Sequence, residues 1–419
     1  MRVTQGMLVR GYNKNLTRNI QNLAESNNRI LTGRKFNYVS ENTGASARSF
    51  SVREQIYKNE IYLDNASQAK GELATAEDNI NGMNSLLKTT IERVIEGLSD
   101  TKDTVERSIL GEDVDKMAEQ VLKLANSRYG DKYVFGGSAN GKPPFEVGDD
   151  GHLMFNGQSV GKDKPFPENI DTYTDIGLGM KTEDKLVAMG KVQPDGVTAS
   201  GVSEATRGKE LKVSFSQSPT APDTIVVTME NDLGDQIATK EIPADQLDNI
   251  EIGGVSIFSK DKFQTTTGDI TIPIMQKPVV DPKSAFNPRT SGIDVLGFGT
   301  NEKDGFANNI YEVMKEIAST LKTEPFDRDK LNNLLDVAKD RQNGLVISLT
   351  NVGTRDKFLD YNISRLESEA STLQKTRKSV EDVNIEEESI FSKMYESSWL
   401  ITLQLGTKII PPSIFDYMR

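Results

Sequence analysis

The sequence predicts an α+β, multidomain chain: a long antiparallel helical bundle or coiled coil built from both termini, with a β-rich domain inserted between them. Three observations predict it. Apolar residues recur at heptad spacing near both ends of the chain. Prolines and glycines gather instead between about Lys142 and Gly299, among short alternating apolar segments. The length, 419 residues, also exceeds the ~250–300 residues that a single hydrophobic core ordinarily organises.

The first element begins near Val9, where steps of four and three join Val9, Asn13, Leu16, Ile20, Leu23, Asn27 and Ile30 before Thr32-Gly33 breaks the pattern. So narrow a stripe is a coiled-coil seam, and its two core asparagines weaken the coil while fixing its register. A second pattern runs through Leu73, Ala76, Ile80, Met83, Leu87, Ile91, Val94, Leu98, Val105 and Ile109. One rod is therefore expected from Ala45 to Leu110, ~100 Å long at 1.5 Å per residue. Gly111-Glu112-Asp113 should stop it, and a further helix is expected over Val114–Asn126.

Strands are expected at Leu211–Phe215, Thr224–Thr228 and Ile270–Ile274, with Asn231–Asp235 as a hairpin turn. Helices resume after Gly299, over Phe306–Leu321, Asp327–Leu349 and a final stretch from about Asp356 to Lys408. The seam of that last helix includes Leu359, Ile363, Leu366, Ala370, Leu373, Val380, Ile390, Met394 and Ile401, and Pro411-Pro412 should end it. The domain organisation expected is residues 1–44 with 372–419 as terminal coiled-coil helices, 45–141 with 300–371 as a helical rod, and 142–299 as a β-rich inserted outer domain.

Charge argues that the two ends meet. Residues 1–35 hold seven Lys or Arg against one acid, Glu25, whereas residues 381–396 hold six acids against one base, Lys393. Opposite fields of this size favour association of the termini.

Composition narrows the function. A formal net charge of −12 and an isoelectric point near 4.9 argue against nucleic acid as a partner. Cysteine is absent, which removes disulfides, thiol nucleophiles and thiolate metal sites together. The one histidine, His152, lies beside Asp149, Asp150 and Gly151, and reads as a solvated hairpin turn rather than a metal site. Gly136-Gly137 and Gly177-Leu-Gly179 lack the further residues of a phosphate loop, and no Gly-x-Ser-x-Gly elbow occurs. Trp399 reads as a buried core aromatic. No window has the ~18 apolar residues of a membrane span, and Met1–Ile20 lacks the apolar run of a cleavable secretory signal. No catalytic, cofactor-binding or metal-binding residue is expected, no cofactor, and no enzymatic activity.

Four segments resemble a known family. Arg29-Ile-Leu-Thr-Gly-Arg-Lys-Phe-Asn-Tyr-Val-Ser-Glu-Asn-Thr-Gly44 is similar to the flagellin-superfamily segment in which a Thr-Gly-basic turn leads to an asparagine and an acidic run; Thr32, Gly33, Asn37 and Ser40 carry it. Asn126-Ser-Arg-Tyr-Gly-Asp-Lys-Tyr-Val-Phe-Gly-Gly137, followed by Pro144-Phe145, resembles the signature of the FlgL family of hook–filament junction proteins, through Asp131, Tyr133, Phe135, Gly136 and Gly137. Asn351-Val-Gly-Thr-Arg355 and the terminal Ser413-Ile-Phe-Asp-Tyr417 complete the set, in the family's order. The acidic run departs from the family pattern, with Ser-Glu-Asn-Thr in place of Ser-Asp-Asp-Pro.

The resemblance implies a structural subunit of the bacterial flagellum, secreted by flagellar type III export without a cleaved signal. Its partners would be copies of itself in a ring or short helical layer, an adjacent hook-associated junction protein, flagellin and an export chaperone. It further implies terminal segments that order only on assembly. That agrees with a physical point: isolated helices with polar seams are marginal in water. Val9, Asn13, Leu16, Ile20, Leu23, Asn27, Ile30, Ile390, Met394 and Ile401 are the expected self-assembly seam. Trp399, Leu400, Leu403 and Leu405, with Ile401, are the expected chaperone-binding residues. Two other readings stay open: filament flagellin, which shares the terminal helices, and a secreted protein whose insert at 142–299 binds glycans or carries an activity.

Overall fold

A computed structural model describes residues 5–137, 142–148, 151–160, 173–188, 192–194, 196–219, 224–244, 247, 249–259, 263, 268–300 and 305–409. Three helices open the chain: α1 (Gln5–Thr32), α2 (Thr43–Gly97) and α3 (Thr104–Ala125). The helix expected over 45–110 thus ends early, and the one expected at Val114 begins early. The reason is local. Ser99, Asp100 and Thr101 offer the backbone side-chain alternatives to helical bonding. Asp103 and Glu106 then form a reciprocal capping box, in which Asp103 Oδ1 accepts from the Glu106 amide at 2.7 Å. Gly111 does not punctuate the chain, because it lies inside α3. A Cβ there would stand 2.9 Å from the Ala318 carbonyl oxygen, so glycine permits close helix packing rather than a stop.

Short hairpins follow: β1 (Arg128–Tyr129) with β2 (Lys132–Tyr133), then β3 (Phe145–Val147), β4 (Leu153–Phe155) and β5 (Gln158–Ser159) in a three-stranded sheet. Eight antiparallel strands come next: β6 (Thr182–Ala188), β7 (Val197–Val202), β8 (Glu210–Gln217), β9 (Thr224–Asn231), β10 (Gln236–Pro243), β11 (Asn249–Ile252), β12 (Val255–Ser259) and β13 (Ile270–Val280). Their spatial order is β10-β9-β8-β13-β6-β7-β12-β11. Alternation is plain in β9, where Ile225, Val227 and Met229 face inward between less buried neighbours. The turn expected at Asn231–Asp235 joins β9 to β10, and Asn231 Oδ1 accepts from the amides of Leu233 and Asp235. β13 changes partners along its length, with Ile270–Pro273 pairing β8 and Ile274–Val280 pairing β6.

The final helices are α4 (Gly292–Leu296), α5 (Ile310–Lys322), α6 (Arg328–Glu381) and α7 (Ile385–Ile409). Here too the sequence reading needs correction. The helices expected at 327–349 and 356–408 are instead divided after Glu381, and residues 350–355 continue α6. Asn384 supplies the new start, its Oδ1 accepting from the Glu386 amide at 3.2 Å. The expected stop at Pro411-Pro412 lies outside the described residues.

Two compact units result, residues 1–61 with 365–419 and residues 62–364, and α2 and α6 contribute to both. In the larger unit, α2 supplies Ala66, Ala69, Leu73, Ala76, Ile80, Met83 and Leu87 to the core at strict heptad spacing, met by α3, α5 and α6. That core also takes Phe145, Leu153, Phe155, Val160, Phe286 and Ile293. The flanks of the segment expected as one insert therefore pack into the helical core. Among the described residues, the buried members of the separate core of the eight-stranded sheet run from Ala188 to Ile274, with Leu186 packed against them.

Candidate functional site: the terminal helix pair

In the smaller unit, α1 and α7 lie antiparallel. Near the start of α1, Tyr12 meets Gly406, where any Cβ would overlap the tyrosine hydroxyl. Further along, Asn19 Nδ2 donates to Thr402 Oγ1 at 2.8 Å. Near its end, Ser26 Oγ donates to the Glu388 carbonyl at 3.3 Å, and Arg29 lies 3.7 Å from the Glu388 carboxylate. Leu16, Leu23 and Ile30, half-buried, fill the gaps between these contacts. The contact face of α7 sets the rings of Tyr395 and Trp399 among Glu388, Ser392, Thr402 and Gly406.

The expected seam divides across this geometry. Val9, Leu16, Leu23 and Ile30 are half-buried, but Asn13, Ile20 and Asn27 are exposed. The heptad positions between are filled by Tyr12, Asn19 and Ser26, one residue earlier. Asn27 still reaches α7 from the margin, its Oδ1 accepting from Ser392 Oγ at 2.9 Å. On α7, Ile390, Met394 and Ile401 are 68%, 50% and 57% exposed, on the side opposite the contact face. Leu400, Leu403 and Leu405 are exposed as well, while Trp399 is half-buried rather than fully buried.

The Thr-Gly turn has a clear physical construction. Gly33 adopts φ 69°, which favours glycine, and its amide donates to the Arg29 carbonyl at 2.9 Å. Thr32 Oγ1 accepts from the Arg34 amide and from Asn37 Nδ2, while the Asn37 amide donates to Glu41 at 2.9 Å. Ser40 is exposed within the same loop. Thr32→Val should lower the stability of this turn by about 1 kcal/mol, detected as faster amide exchange over residues 33–42 with exchange in α5 unchanged.

The turn is fastened to the α6–α7 break. The Lys35 amide donates to the Glu381 carbonyl at 2.8 Å, and the Val383 amide donates to the Gly33 carbonyl at 3.0 Å. Beside them Glu381 forms a fork with Arg53, at 2.7 and 2.8 Å, and accepts from Ser49 Oγ at 2.6 Å. The Arg53 fork, joined by the Ser49 bond, holds the Glu381 carboxyl down at about 2 against the desolvation of its partly enclosed site. Sequence reading did not find Ser49, Arg53 or Glu381. The available signal was the three-residue spacing of Ser46, Ser49 and Val52, which places small residues on one inward face.

The second motif builds a corner. Gly130 (φ 58°) and Asp131 turn between β1 and β2, where Tyr133 is half-buried and its ring receives the Arg128 guanidinium at 5.0 Å. Phe135 is fully buried, Gly136 bridges to Ser291, and Gly137 takes φ 61°. His152 is largely exposed, with Nδ1 3.4 Å from Glu312. Among the described residues no group of three His, Cys, Asp or Glu could hold a metal, and no helix is long and apolar enough to cross a membrane. The tail motif at 413–417 lies outside the described residues.

The solved structures that resemble this chain do so at low identity. A putative flagellar hook-associated protein from Vibrio parahaemolyticus is 10% identical, with a TM-score of 0.46, over 82% of this chain and 100% of its own. Flagellar hook-associated protein 3 from Legionella pneumophila is 14% identical, with a TM-score of 0.40, over 78% and 98%. Bacillus cereus FlgL is 13% identical, with a TM-score of 0.41, over 78% and 99%. No curated protein matches the sequence. Residues 7–140 match the family described as the bacterial flagellin N-terminal helical region. The matched residues take in nearly all of α1, the whole of α2 and α3, and the Asn126–Gly137 corner.

Proposed function

We propose that the chain is a structural component of the flagellum, the hook–filament junction protein, assembling into a ring or short helical layer on which flagellin polymerises. One observation carries the assembly reading. The outer stripe of α7, Ile390, Met394 and Ile401, is exposed while the opposite face of the same helix is occupied by α1. An apolar stripe on a helix that already has its intrachain partner is a surface for further copies. The junction reading, as against filament flagellin, is supported by Asn126–Gly137, the segment that resembles the FlgL signature.

The adjacent hook-associated protein and flagellin would contact the layer on its two sides. Before assembly an export chaperone would cover Leu400, Leu403 and Leu405 together with Trp399. Terminal helices that order on assembly belong to this reading, because isolated helices with polar seam positions such as Asn19 and Ser26 are marginal in water.

Deleting the gene should leave hooks intact and release unpolymerised flagellin into the medium. Full filaments in the deletion strain would refute the junction role, and abundance along sheared filaments would favour filament flagellin instead. The double variant Met394→Asp/Ile401→Asp should be exported yet lost from the flagellum, since buried carboxylates without partners cost several kcal/mol each. Retention at wild-type level would remove the α7 stripe from the assembly surface.

A further inference from the structure

The two units differ in what they bury. Both hydrophobic cores lie within residues 62–364. Among the described residues of 1–61 and 365–419, the buried apolar side chains are Val52 and Leu366, while Ser26, Ser46, Ser49, Asn59, Glu381 and Glu388 are buried polar ones. Asn59 stands out among them. The inward line of α2 steps by heptads through Val52, Asn59, Ala66, Leu73 and Ile80, all buried, and Asn59 is its one polar member. Asn59 is 4% exposed, and among the described residues neither its Oδ1 nor its Nδ2 has a hydrogen-bond partner. Along α6 the buried or half-buried residues between 366 and 380 are Leu366, Ala370, Leu373 and Val380, none with a side-chain donor or acceptor.

A buried amide without partners subtracts stability that an apolar side chain of the same size would add. A core asparagine fixes register by meeting a polar partner, and Asn59 meets none. We propose that Asn59 is an opening point of the α2–α6 pair. It holds Thr43–Ile61 and Arg365–Glu381 close to unfolding while the core from Ala66 onward stays closed, so this stretch parts first when the chain is drawn out for export. The role in export rests on the flagellar reading above; the local opening does not. Along α2, Asn59 falls between Arg53, forked to Glu381, and Ala66, where the hydrophobic core begins. Firm points on either side let an opened stretch close again in register.

Amide exchange of the purified full-length chain tests the opening. Asn59→Leu, which keeps the side-chain size and removes the amide, should slow exchange over Glu54–Ile61 and Leu366–Thr376 roughly tenfold or more, with exchange in α5 unchanged. Asn59→Asp, which places a charge at the same buried position, should speed it by a similar factor. A Leu variant that exchanges like wild type or faster, or an Asp variant that exchanges like wild type, would overturn the opening point. In a strain lacking the natural gene, Asn59→Leu should leave the cell more slowly than wild type. Export of that variant at the wild-type rate would remove the role in export. Wild-type protein that never leaves the cell would instead overturn the flagellar reading, with the exchange result unaffected.

Discussion

Arg289→Ala should lower the unfolding free energy of residues 62–364 by about 3–5 kcal/mol, the usual consequence of leaving one member of a buried ion pair behind. Arg289 and Glu72 approach to 3.4 Å with side chains only 7% and 10% exposed. The backbone around the arginine is itself held, as Arg355 donates to the Arg289 carbonyl at 2.9 Å and to the Asn287 carbonyl. Phe286 stacks on Phe358 nearby, with centroids 5.8 Å apart. The pair therefore sits where the chain returns from the eight-stranded sheet to α2 and α6. Truncation removes the cation but leaves the Glu72 carboxylate enclosed. The double variant Glu72→Gln/Arg289→Met should recover most of the loss, because no charge is then buried. Denaturant unfolding followed at both sites as a double-mutant cycle measures the coupling. Equal stability of Arg289→Ala and wild type would show that water reaches Glu72.

Glu381→Gln should remove a stabilisation that wild type loses between about pH 4.5 and pH 2. The sign follows from the carboxyl being held down to about 2 in the folded chain, from an ordinary value of 4.5, chiefly by Arg53. A depressed carboxyl contributes fully above its unfolded value, and that contribution fades as pH falls through the folded one. The full shift would correspond to roughly 3 kcal/mol at 1.36 kcal/mol per unit. Arg53 is half exposed, with 48% of its side chain open to water, so screening reduces the expected effect to about 1–2 kcal/mol. Amide exchange at Lys35 and Val383, measured against pH, reads it directly. Wild-type protection that stays level across this window would show that the Arg53 fork adds nothing.

Much of the architecture was legible because heptad spacing survives in the folded chain. Leu73, Ala76, Ile80, Met83 and Leu87 were read as a seam and are fully or almost fully buried. Strands at 211–215, 224–228 and 270–274 were legible from alternation. Helix ends were less so. Nothing in the periodicity marks the interruption at 98–103, since Val105 and Ile109 keep the apolar pattern yet are 66% and 63% exposed. Gly111 misled because a glycine that ends a helix and one that admits a neighbouring backbone are the same letter. The α1 seam was displaced at alternate positions because the preference for apolar residues favoured Ile20 over Asn19, and the four-and-three spacing then drew in Asn13 and Asn27 in place of Tyr12 and Ser26. The folded pair instead satisfies Asn19 against Thr402 and leaves Ile20 outside. Arg289 and Glu72, 217 positions apart by their numbering, could be joined only by the fold.

The strand Ile270–Val280 has a consequence for how the outer sheet comes apart. Its first residues complete one group of strands, β8 to β10, and its remainder completes the other, β6, β7, β11 and β12. Opening either group unpairs its own stretch of β13 and so loosens the strand on which the other group is also built. Melting should therefore proceed as one cooperative event across all eight strands, with uniform exchange protection rather than a stable half and a labile half.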